Sequence, residues 1–228
     1  RFTDSFNVRV GVEGEIGRST DVLGRYDYGL LGLPVAASYD TTDKPLDPTR
    51  GVRVNASVTP YVGFGDAPDA FVISKLQASA YYAMDEAART VLAGRVAFGS
   101  IMGGTLGAIP ASRRFYAGGG GSVRGYEYKS LGPRNMFGTV TGGMSLFEAS
   151  VEARVKLNDT IGVVPFFDMG QAYSGSFPNG SAPMRYAAGL GLRYYTAVGP
   201  IRFDVAVPLA RRQGEKPYAF YVSIGQAF

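Results

Sequence analysis

The stretch Phe147-Glu-Ala-Ser-Val-Glu-Ala-Arg-Val-Lys156 alternates without a break. Phe147, Ala149, Val151, Ala153 and Val155 form one set; Glu148, Ser150, Glu152, Arg154 and Lys156 form the other. Successive side chains of a β-strand point to opposite faces. One face is therefore apolar and the other carries four charges. Charges enter a dry core only at high cost. A polar lumen inside an apolar, lipid-facing exterior accommodates both faces, and that is the arrangement of a transmembrane β-barrel.

The same pattern recurs along the chain. Leu76, Ala78, Ala80 and Tyr82 alternate with Lys75, Gln77, Ser79 and Tyr81. Val52, Val54, Ala56 and Val58 alternate with Arg53, Asn55, Ser57 and Thr59. Period-2 runs predict about ten strands, over 5–16, 28–40, 50–62, 70–84, 89–102, 141–157, 160–174, 184–197, 199–209 and 217–228. The links at 85–88, 158–159 and 197–199 are short, and those at 103–140, 175–183 and 210–216 are long. Short periplasmic turns and longer external loops alternate in this way in an up-and-down barrel. Both termini then fall on the periplasmic side. Tyr39, Tyr61, Tyr81, Tyr82, Tyr194, Tyr195, Tyr218 and Phe228 gather near strand ends, as an interfacial aromatic girdle does. The expectation is one all-β, antiparallel barrel domain over 1–228.

Composition narrows the chemistry. The 228 residues carry a net charge of +4 with no dense basic block, so nucleic acid is not an expected partner. Cysteine and histidine are both absent. That excludes disulfides, thiol catalysis, Ser-His-Asp triads and His- or Cys-ligated metal sites. No cofactor and no enzymatic activity are expected. No run of 18 apolar residues is present to form a membrane helix. Arg1-Phe-Thr-Asp4 does not read as a signal peptide.

One segment stands outside the strand pattern: Arg114-Phe-Tyr-Ala-Gly-Gly-Gly-Gly-Ser-Val-Arg-Gly-Tyr126. Glycine permits close backbone packing and positive φ, so this loop can fold back and aim its arginine. A phosphate-binding loop is discounted, because no Lys-Ser/Thr pair and no helix pattern follow Gly118–Gly121. The segment resembles the signature loop of the BamA/TamA family of outer-membrane assembly factors, closest to the TamA-like branch. Four further segments agree with that family: Leu33–Gly51 with its Asp47-Pro-Thr-Arg-Gly51 turn, Phe167-Asp-Met-Gly170, Gly199–Pro208, and Tyr221–Phe228. The family barrel has sixteen strands, and the resemblance covers its C-terminal ten and no POTRA domain.

The resemblance implies a bacterial outer-membrane location and a role in inserting or translocating other proteins. The implied mechanism is strand pairing at a lateral seam with local bilayer thinning. Its implied partners are outer-membrane lipid, client β-barrels or autotransporters and, through POTRA domains, an inner-membrane protein. It marks Ser122, Val123, Arg124, Gly125 and Tyr126 as the motif of an inward-folding loop over about 103–140. Strand parity puts Glu152 and Asp168 inward, and the resemblance makes them the partners of Arg124. It also implies a C-terminal strand signal on one face, at Tyr218, Phe220, Val222, Ile224 and Phe228. Asp40, Asp43 and Asp47 lack the spacing of a calcium loop and sit beside turn-forming Pro45 and Pro48, so no metal site is expected. The alternatives are a passive pore or two-partner secretion channel, which shares the loop signature, and a structural barrel with no activity of its own.

Overall fold

The computed structural model describes residues 5–228, so the reading of Arg1–Asp4 lies outside the described residues. In chain order the strands are β1 Phe6–Val10, β2 Glu13–Asp21, β3 Gly24–Gly32, β4 Val35–Asp40, β5 Gly51–Gly65 and β6 Ala70–Ala83. They continue with β7 Thr90–Met102, β8 Ser145–Lys156, β9 Ile161–Tyr173, β10 Arg185–Thr196, β11 Gly199–Pro208 and β12 Ala219–Ile224. All pairings are antiparallel.

These twelve segments occupy ten lanes of one curved sheet, the number read from the alternation. β3 and β4 both pair with β5, against its second and first halves, and so form one interrupted strand. The break falls at Leu33-Pro34, where proline has no N–H for the ladder. β2 pairs with β3 and β1 with β4, making a second interrupted strand. Bonds from Leu33 N to Pro60 O (3.1 Å) and from Gly11 N to Pro34 O (3.0 Å) keep the lanes continuous across the breaks. The sheet is not closed: among the described residues β12 pairs only with β11, and no ladder joins it to β1 or β2.

The sheet is inside-out relative to a soluble protein. Arg95, Glu148, Glu152, Arg154, Asp168, Arg193 and Asp204 are buried on its concave face, while Val58, Leu76, Val96, Val151, Leu190 and Val207 are exposed on its convex face. The aromatic set divides between the two. Tyr39, Tyr82, Tyr194 and Tyr218 are exposed, but Tyr61 and Tyr81 are buried on the lumenal side. Their position near strand ends was a weaker guide than the parity of their strands.

The last strand departs from its expected span. β12 ends at Ile224, and Gly225 takes φ +86°, a conformation costly for any residue with a Cβ. The chain then turns inward. Tyr218, Phe220, Val222 and Ile224 share the exposed face. Phe228 does not: it packs against buried Tyr81, Val91 and Ala93, with its ring 6.4 Å from that of Tyr81. Alternation cannot be carried through a left-handed glycine, which explains the misplacement.

The 103–144 segment folds into the concavity. Its first half buries Ile109 and Phe115 against Tyr26, Leu30, Tyr61, Phe71 and Ile101 of the wall. Its second half buries Ala117, Val123, Tyr126 and Leu131 beside Ala187 of β10.

Candidate functional site

The glycine-rich loop is shaped by bonds within itself. Phe115 and Gly143 exchange backbone bonds of 2.8 and 2.7 Å, and Ala117 and Leu131 exchange bonds of 3.0 and 2.9 Å. Gly119 N donates to Val123 O (3.2 Å), Ser122 N to Gly119 O (3.0 Å), and Gly118 N to the Ser122 hydroxyl (2.8 Å). The tight turn presents Ser122–Tyr126 to the wall formed by β8–β12.

Each residue of the motif has its own contact there. The Ser122 hydroxyl donates to the Glu148 carboxylate, which also takes a bond of 3.0 Å from Arg95. Val123 is fully buried over Gly170 of β9, where an added Cβ would lie 2.7 Å from its methyl group. Gly125 N donates to the Tyr221 hydroxyl (3.0 Å), which in turn donates to Tyr126 O (3.1 Å). The Tyr126 hydroxyl donates to Tyr186 O (2.9 Å), and its ring lies under the Arg185 guanidinium.

Arg124 is the centre. Its Nε and Nη2 donate to the two oxygens of Asp168 at 2.7 and 2.9 Å, and its backbone N–H adds a third bond of 3.0 Å. Its Nη1 is shared between Glu152 (2.8 Å) and Asp204 (2.9 Å). The guanidinium lies 3.4 Å from the centroid of the Phe166 ring, close enough for a cation–π contact. Side-chain exposure is 2% for Arg124 and 0% for all three carboxylates. Planar, bidentate pairing of this kind is a property of guanidinium that an ammonium lacks.

The structure thus brings Arg124 together with Glu152 and Asp168, and adds Asp204. Asp204 lies on β11, beyond the two strands that follow the loop, where the partners were expected. The signal for Asp204 was present: Arg202, Asp204 and Ala206 alternate with Ile201, Phe203 and Val205. The carboxylates have further partners. Glu152 accepts from Arg154 (3.0 Å), Asp204 accepts from Arg193 (2.6 Å), and Arg202 lies 3.5 Å from Asp204. Four guanidiniums and three carboxylates therefore form one lumenal network. Asp168 has no ion-pair partner but Arg124 among the described residues.

Two adjacent arginines, Arg113 and Arg114, anchor the start of the loop. Arg114 donates to Asp21 (2.7 Å), the Tyr26 hydroxyl (2.7 Å) and the carbonyls of Ile109 and Thr141. Arg113 pairs with Glu15 and Glu13 of β2 and lies over Tyr61. The loop is thereby tied to both halves of the sheet. Asp40, Asp43 and Asp47 diverge instead of converging: Asp40 accepts from Arg53 and Thr42, Asp43 from Thr49 and Arg50, and Asp47 from Gln226.

The family model described as the Omp85 superfamily domain matches residues 7–228. The outer membrane protein assembly factor BamA of Nitratidesulfovibrio vulgaris is 32% identical, over 83% of this chain and 24% of its own length. BamA of Neisseria meningitidis is 26% identical, over 93% of this chain and 30% of its own. The chain thus spans about a quarter to a third of these relatives. Two solved structures share its fold. BamA from Haemophilus ducreyi lacking POTRA domains 1–3 gives a TM-score of 0.72 at 20% identity, over 86% of this chain and 42% of that one. CdiB from Acinetobacter baumannii gives 0.57 at 13%, over 99% and 40%.

Proposed function

We propose that this chain, which belongs to the Omp85 superfamily and is a BamA/TamA-type barrel region of the bacterial outer membrane, assists the insertion of other β-barrel proteins. The mechanism involves no covalent chemistry. A client strand adds to β12 at a lateral seam through backbone hydrogen bonds, while the arginine-locked loop keeps the wall in shape.

The observation that carries this reading is the filling of the lumen beside β8–β11. A buried seven-member ionic network and a folded loop occupy the space that a simple pore would leave open. The dimensions of the last strand support it. The six residues of β12 span about 20 Å at about 3.3 Å per residue. That is shorter than the apolar band of about 25 Å usual for outer-membrane barrels, so lipid thins beside this edge and insertion costs less there.

Reconstitution of the chain in lipid vesicles tests the proposal. Insertion of an unfolded client barrel is expected to be faster than into protein-free vesicles, with little ionic conductance. Large steady conductance without acceleration would contradict it. A second reading, a secretion channel, is favoured by one feature: a cavity of about 560 Å³ between the loop and the opposite wall, lined in part by Arg9, Asn55, Lys75 and Gln77. The same experiment separates the two.

A further inference from the structure

The link between β4 and β5, residues 41–50, is the longest at the end of the sheet where the other links, 84–89, 157–160 and 197–198, are short. It crosses the mouth to the far wall. Leu46 sits over Gly199 and Gly225, within 3.4 and 3.6 Å of where their Cβ atoms would be. Gln226 is then held at three points: its N–H donates to Leu46 O (3.0 Å), its amide NH₂ donates to Asp47 (2.8 Å), and its amide oxygen accepts from Arg193 Nε (2.9 Å). Arg154 donates both to Pro48 O (3.3 Å) and to Phe228 O (3.1 Å). Arg154 and Arg193 are also the outer partners of Glu152 and Asp204, the carboxylates that hold Arg124.

We propose that the 41–50 turn is a latch that holds residues 225–228 inside the barrel and couples their position to the Arg124 lock. Two relays connect them: Arg124–Glu152–Arg154 to Pro48 and Phe228, and Arg124–Asp204–Arg193 to Gln226 and Asp47. The turn is built to be stiff. Asp43 accepts from Thr49 N (2.8 Å), Thr49 Oγ1 (2.6 Å) and Arg50 N (3.2 Å), and Pro45 and Pro48 restrict its backbone. With the latch closed, the end of β12 is pinned; with it open, residues 225–228 are free to leave the lumen. Because Arg154 and Arg193 each serve both the lock and the latch, loosening one loosens the other, as reciprocal coupling requires. The functional meaning of the latch rests on the assembly reading, but its existence does not.

The chain has no tryptophan and no cysteine, which gives clean reporters. In Phe228→Trp protein folded in detergent micelles, Asp47→Ala or Arg193→Gln is expected to red-shift the emission and raise acrylamide quenching several-fold. Lys44→Ala, on the same turn, is expected to change neither. Unchanged quenching in both relay variants, or an equal rise in Lys44→Ala, overturns the latch. Should Asp47→Ala fail to fold, the Asp47→Cys/Gln226→Cys pair decides: rapid disulfide formation in folded protein supports the latch, and none overturns it. No client is involved in either readout. Normal client insertion by a relay variant whose tail is freed defeats the functional role of the latch alone, and a closed latch without client insertion defeats the assembly reading alone.

Discussion

At the residue scale the molecule turns on Arg124. Removing one partner of a buried ionic group costs about 3–5 kcal/mol, because the remaining charge stays buried and unpaired. Asp168 would be left in that state, so Arg124→Ala is expected to lower unfolding stability by about this amount, read from urea denaturation in micelles. Arg124→Lys keeps the charge but loses the fork on Asp168, and its midpoint is expected between those of wild type and Arg124→Ala. A simple exchange of Arg124 with Glu152 would not restore the site, since a new carboxylate at position 124 would face Asp168 and Asp204. Gly170 makes a different contribution: it leaves room for Val123. Gly170→Val is expected to push the loop off β9 and expose it to proteolysis, with the strands intact. Parity placed Glu152 and Asp168 in the lumen, and the family resemblance, not parity, matched them with Arg124. Asp204, two strands farther on, has equal parity, but nothing local to the loop connects it to Arg124 before the sheet is curved.

At the element scale, β8 was legible from its own ten letters, whereas β12 was legible as a strand but not in where it ends. Alternation survives wherever the ladder is continuous, so the breaks at Pro34 and Gly225 are where it misleads. Gly225→Ala forces a Cβ into a left-handed conformation and is expected to cost about 1–2 kcal/mol, measured as a lower urea midpoint. The 41–50 turn has its own pH dependence. Burial pushes the Asp43 carboxyl up, but donors from Thr49 and Arg50 outweigh this and hold it below the usual aspartate range. A depressed folded-state value contributes stability above the unfolded value of about 3.9, and that contribution is lost as pH falls through the lower folded value. Acid loosening of the turn, followed by Phe228→Trp emission, is therefore expected only below about pH 4.

At the scale of the whole molecule, the inside-out partition of charge and apolar surface was readable from sequence, and so were the antiparallel order and the ten lanes. The fate of the 103–144 segment was not readable from composition. Its burial depends on glycines in the wall and on arginines whose partners come from β2, β8, β9 and β11. The residual cavity between loop and wall carries Arg9 and Lys75, while Glu148 on its rim is already paired with Arg95. Any residual current through the chain is accordingly expected to prefer anions, checked by reversal potential in a salt gradient. Arg124 and Asp168 are expected to fasten the loop inside the sheet as a unit. A double-mutant cycle tests it most directly, with Arg124→Ala, Asp168→Ala and the double variant compared by urea unfolding in micelles. The account predicts that the double variant is no less stable than the weaker single variant, and strictly additive losses would contradict it.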